Sequence, residues 1–316
     1  MKKIPKLVLL LFFIWGFPFM LLAEEVISGK NFTVHFSSKD RKIAEFIAEQ
    51  AIIYHNEIQN KLNLEMPLFQ IILAKNERSF QEFSGEDFPH WGVAAAQYKG
   101  RKIILKSPRF SRQTFPELSS TLHHEMIHIA LEPINRQTYL PRWFNEGLAQ
   151  HEAEQFEWKQ KVLLGQTALY GKFMDLYKID DVLKFEQNRA NLAYAQSVSA
   201  VQYLIAEHGY ESISKLLLLL QEGLDWDQSF ELVYGYDPRY YSTNWELWAT
   251  KRYKPYAFVE LQTLLWGILP LLVLIAWLCI RWRNAHIYQQ WQEEESRKKD
   301  SSRTLDMKKD VNFYDA

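Results

Sequence analysis

The spacing of apolar residues changes three times along this chain, and each change predicts a different kind of element. "NFTVHF" (Asn31 to Phe36) alternates apolar and polar positions, and "LFQIILA" (Leu68 to Ala74) is a short run of β-branched and aromatic residues. Both read as strands. Between them, Ile43, Phe46, Ile47, Ala51, Ile52 and Ile58 recur at the three-to-four spacing of an amphipathic helix over Asp40 to Leu62. "GVAAAQYKGRKIILKSP" then predicts a hairpin, with Val93 to Gln97 and Ile103 to Leu105 as its arms and a turn at Lys99-Gly100. From Pro116 onward every long periodic segment is helical, including Leu118 to Leu131, Val198 to Glu207 and Ser212 to Gln221. The expectation is an α+β fold, with a small mixed sheet in an N-terminal lobe and a helical C-terminal lobe.

Two further stretches are apolar without periodicity. At the N-terminus Lys2, Lys3 and Lys6 precede an apolar run from Leu7 to Ala23, the layout of a signal peptide or an uncleaved signal anchor over residues 1–23. Leu21 stands where a cleavage site prefers a small residue, so both forms stay open. Near the C-terminus, Leu261 to Ile280 carries no charge and has about the ~20-residue length of a transmembrane helix. Arg281 and Arg283 follow it, while Lys251, Arg252 and Lys254 precede it, so the charge rule alone leaves only a small margin for orientation. The export signal points residues 28–254 outward, to the periplasmic or extracellular side, and leaves 281–316 as a cytoplasmic tail. That tail mixes basic and acidic residues with few apolar ones, and reads as a helical extension that frays.

Composition narrows the function. Lys+Arg (37) and Asp+Glu (38) nearly cancel, so nothing favours nucleic acid as a partner. Cys279 is the only cysteine, which excludes an internal disulfide and any cysteine-based zinc site.

The candidate chemistry lies in "LHHEMIHIAL", residues 122 to 131. His124 and His128 stand four apart on a predicted helix, so both imidazoles face one point in space, and Glu125 lies beside them. Catalytic zinc needs three protein ligands and one open position. The surrounding Leu122, Met126, Ile127, Ile129 and Ala130 are uncharged, and two buried histidines with a glutamate are costly without a partner that satisfies them. A third ligand is offered by "LPRWFNEGLAQHEA", a second helix after a turn-rich connection from Glu132 to Tyr139. Glu146 sits there between Phe144 and Leu148, and Gly147 and Ala149 would let this helix pack closely on the first. His123, His151 and Glu152 compete for ligand or supporting roles. The metal set read from the sequence is thus His124, His128 and Glu146 around one Zn2+, with Glu125 as the base that takes a proton from water.

These two segments together resemble the gluzincin metallopeptidases, and especially the peptidase MA-like group of exported bacterial proteins. "GVAAAQYKGRKIIL" is similar to that family's edge-strand region, "AYAQSVSAVQYLIAEHGYESISKLLLLLQEG" to its downstream helical pair, and "LDWDQSFELVYGYDPRYYSTNWELWATKRY" to its closing segment. The similarity covers roughly Asn31 to Tyr253. It implies a zincin-like fold over residues 28–254, peptide or protein substrates, and Tyr194 as the stabiliser of the oxyanion, with Tyr139 and His151 as alternatives. One departure stands out: where thermolysin-like members place an aspartate that orients a ligand histidine, this chain has Gln150, and Glu152 is a candidate substitute.

The expected protein is a zinc-dependent peptidase held in a membrane by one C-terminal helix over 261–280. The competing reading is a zincin-fold binding or assembly module at the cell envelope. Glu125 argues for the enzyme, because a retired site has no physical need for the base.

Overall fold

The computed structural model of this chain describes residues 24–85, 93–97, 100–184 and 186–311. The apolar run over residues 1–23, read above as a signal, lies outside them. The described chain divides into two units, one ending at Tyr253 and the other starting at Lys254.

The first unit begins with five strands, β1 (Glu24–Ser28), β2 (Phe32–Ser37), β3 (Phe69–Ala74), β4 (Ala94–Gln97) and β5 (Lys102–Lys106), in the order β1-β2-β3-β5-β4. The outer pairs, β1/β2 and β4/β5, are antiparallel, and β2/β3 and β3/β5 are parallel, so the sheet is mixed. Helix α1 (Arg41–Leu62) is the crossover between β2 and β3, and α2 (Glu77–Ser84) follows β3. Because β3 and β5 are covered on both faces, they read as nearly continuous apolar runs, whereas β2 alternates. Val34, Ile71 and Ile103 share one row and are fully buried, while Ile72, Ala74, Ala95 and Ile104 form a cluster with Phe80 of α2. β1 was not anticipated. Its sequence, "EEVIS", is short and half polar, and it directly follows the apolar run at the N-terminus.

Helices make up the rest of this unit: α3 (Pro108–Ser111), α4 (Phe115–Gln137), α5 (Arg142–Glu152), α6 (Trp158–Tyr170), α7 (Gln187–His208), α8 (Glu211–Gln221), α9 (Trp226–Tyr234) and α10 (Pro238–Tyr253), with a 3-10 segment at Leu176–Lys184. A capping box starts α4: the Thr114 hydroxyl accepts from the Glu117 N–H, and the Glu117 carboxylate accepts from the Thr114 N–H at 2.7 Å. The helix runs on through Pro133 to Gln137, where the sequence suggested a turn-rich connection. Buried Glu132 and Ile134 explain the continuation: Ile134 is 2% exposed, and Glu132 is held by Arg101 at 3.1 Å and by Arg136 one turn on.

α5 packs on α7 because both are built from small residues at the contact. A Cβ added to Gly147 would lie 2.2 Å from the main-chain oxygen of Ser197 and 2.8 Å from Val201 Cγ2. The sequence reading had Gly147 bring α5 against α4; it brings α5 against α7 instead. Behind this pair lies an aromatic core in which Trp143 stacks on Tyr241 at 5.3 Å and meets Trp226 edge-on at 5.9 Å. The polar ends of that core are tied back to α7, with Tyr241 donating to the Ala200 carbonyl and Trp245 Nε1 to Ser199 Oγ at 3.1 Å.

The second unit is a short 3-10 turn and one helix, α11 (Ala257–Val311). Its segment Trp266–Lys299 is long and apolar enough to cross a membrane, and none of its most apolar stretch is buried by protein. The helix continues past the apolar stretch to Val311, as the helical extension read from the sequence. No Gly or Pro interrupts residues 281–311, and Glu293, Glu294 and Glu295 each precede a basic residue by four positions, the favourable order on a helix.

Candidate metal centre

α4 and α5 together bring three donors to one point. His124 and His128 lie one turn apart on α4, and their Nε2 atoms approach to 3.0 Å. Glu146 of α5 points Oε2 at the same place, 3.7 Å from His124 Nε2 and 3.6 Å from His128 Nε2. Among the described residues these three form the group of His, Cys, Asp and Glu side chains close enough to hold a metal ion. Ligand atoms in a tetrahedral zinc site, each ~2.0–2.1 Å from the ion, are about 3.3–3.4 Å apart. The observed triangle brackets that spacing, and its two imidazoles and one carboxylate match the donor chemistry zinc takes. The residues fit the ion.

The electrostatics point the same way. Burial works to lower the pKa of His128, but Glu146, with help from Glu125 and Asn145, holds it up at about 9. Burial pushes Glu146 upward, yet His128 and His124 keep its carboxyl well below the usual range. A site that draws a proton onto a buried imidazole is one that favours positive charge at that spot.

Glu125 is also buried, and burial raises its pKa against the opposing pull of His124 and His128. Its carboxylate accepts from the main-chain N–H of Ala96, which ties it to the edge strand β4. The base predicted from sequence therefore sits beside the histidine pair and at the border of the sheet.

Asn145 is the residue sequence reasoning missed. Its Oδ1 lies 2.8 Å from His128 Nδ1, so Nδ1–H donates there and Nε2 is the nitrogen turned towards His124 and Glu146. The signal for it was a polar side chain directly before Glu146 on an otherwise apolar stretch. His124 Nδ1, by contrast, is buried without a partner among the described residues.

The other candidates lie elsewhere. His123 stacks on Tyr54 with ring centroids 4.0 Å apart, and burial lowers its pKa to about 4, so it packs as a neutral ring. Glu152 accepts from the Tyr210 hydroxyl at 2.7 Å and His151 lies beside the same ring, which removes both from the metal-facing side. Gln150 donates to the main-chain oxygens of Glu146 and Tyr194, each at 3.4 Å, and accepts from Gln160 at 3.3 Å, bracing α5 against α6 and α7. Tyr139 is exposed and its hydroxyl donates to Asp180. Tyr194 lies half-buried on α7, its main chain joined to α5 through Gln150.

A small mixed sheet followed by a helical body, with His124 and His128 on one helix and Glu146 on a second, is the arrangement that the resemblance to zincin-like domains implies. A family model for the Peptidase MA superfamily matches residues 115–251. The match spans the helical lobe from α4 into α10 and leaves the sheet outside it. Comparison with curated proteins gives no match.

Proposed function

We propose that this protein is a zinc-dependent peptidase anchored in a membrane by the apolar part of α11. The observation that carries the reading is the convergence of His124, His128 and Glu146 on one buried point, with Glu125 beside it. His124 and His128 would supply Nε2 and Glu146 one carboxylate oxygen. Bound there, zinc would polarise the scissile carbonyl and lower the pKa of water. Glu125 takes the proton from the attacking water and passes it to the departing amine, and its raised pKa brings it nearer to the range a general base needs. Asn145 fixes the His128 ring.

Tyr194 is assigned the donor to the developing oxyanion. Tyr194→Phe is expected to lower kcat by about 10^2-fold, with KM and zinc content little changed. An unchanged kcat would transfer the role to another donor.

In this reading the peptidase domain over residues 28–254 faces the periplasmic or extracellular side, and residues after 280 face the cytoplasm. Peptides or proteins on that outer side are the substrates. Full-length protein in detergent, given a peptide library, should lose cleavage on treatment with a strong chelator and regain it with added zinc. Cleavage that persists in the chelator would point to another mechanism.

A further inference from the structure

Glu146 has two oxygens, and they face different partners. Oε2 points to the histidine pair, whereas Oε1 lies 3.4 Å from Nη2 of Arg142, one turn earlier on α5. The contact does not serve the helix. A cation in the first turn opposes the helix dipole, and a basic residue four positions before an acidic one is the weaker order. Nor is it an ordinary surface pair, since the Glu146 side chain is only 10% exposed. The main chain of Arg142 is held in place at the start of α5, because its N–H donates to Asp180 Oδ1 at 3.0 Å and the other oxygen of Asp180 accepts from Tyr139.

We propose that Arg142 is a positioning residue that restricts Glu146 to one-oxygen ligation. This inference rests on the metal-site reading above. A carboxylate free to pivot can present both oxygens to an ion and so occupy the position a catalytic zinc site leaves open. A guanidinium holding Oε1 prevents the pivot and leaves that position to water or substrate.

The test replaces zinc with Co2+ in the full-length protein in detergent and records the visible ligand-field band, which is intense for four-coordinate cobalt and weak for five-coordinate. Arg142→Gln and Arg142→Met are compared with the unaltered chain in parallel, so that a folding failure of one leaves the other. Both are expected to lose band intensity and to bind Zn2+ roughly tenfold or more weakly in chelator competition. Arg142→Lys should recover part of both. Unaltered protein that binds cobalt, with folded neutral variants showing the same band and the same affinity, would overturn the proposal and leave the metal site standing. Unaltered protein that takes up neither metal would overturn the site reading, and the proposal with it.

Discussion

Replacing Glu125 with Gln is expected to reduce peptide hydrolysis by about 10^2- to 10^4-fold while zinc content stays unchanged. Gln keeps the shape of the side chain, and its amide oxygen still accepts from the Ala96 N–H. What it loses is the ability to take a proton. Glu125 is buried beside His124 and His128. A folded Glu125→Gln protein that turns over at the original rate would remove Glu125 from the chemistry. The same variant separates an enzyme from an assembly module, since a module's role in the cell would survive it.

The second large effect is expected at Gly147. Gly147→Ala gains about 1 kcal/mol of helix propensity. That gain is outweighed because the new Cβ meets the main-chain oxygen of Ser197 at 2.2 Å, and a backbone obstacle cannot rotate away. Overpacking of this kind costs about 3 kcal/mol, so the net loss is about 2 kcal/mol and the melting temperature of the domain falls by roughly 4–8 °C. Glu146 is the adjacent residue, so the displacement of α5 should also weaken zinc binding. An unchanged melting temperature would mean that α5 and α7 do not meet at this glycine.

How far the sequence anticipated these features depended on whether the signal was local. His124, Glu125 and His128 declare themselves by spacing on one helix, and Glu146 by being a carboxylate among apolar neighbours. The strands β3 and β5 were legible because covered strands must be apolar, and β2 because one buried face makes it alternate. β1 was not, because its residues alternate weakly and its pairing with β2 is a tertiary fact. The partner of Gly147 could not be read either: a small residue announces a close approach without saying to what. The same holds for Asn145 and Arg142, whose roles follow from the face of α5 they share with Glu146 and from Asp180, which is distant in sequence. The departure at Gln150 raised the right question about ligand orientation. Its answer for His128 lay in Asn145, not in Glu152, which bonds Tyr210.

Metal content of the purified full-length protein decides whether His124, His128 and Glu146 hold zinc. The chain is expected to carry about one zinc, and His128→Ala and Glu146→Ala, each folded, are expected to lose it or bind it far more weakly. Folded, unaltered protein that holds no zinc when supplied with it would mean that these three side chains are not a metal site.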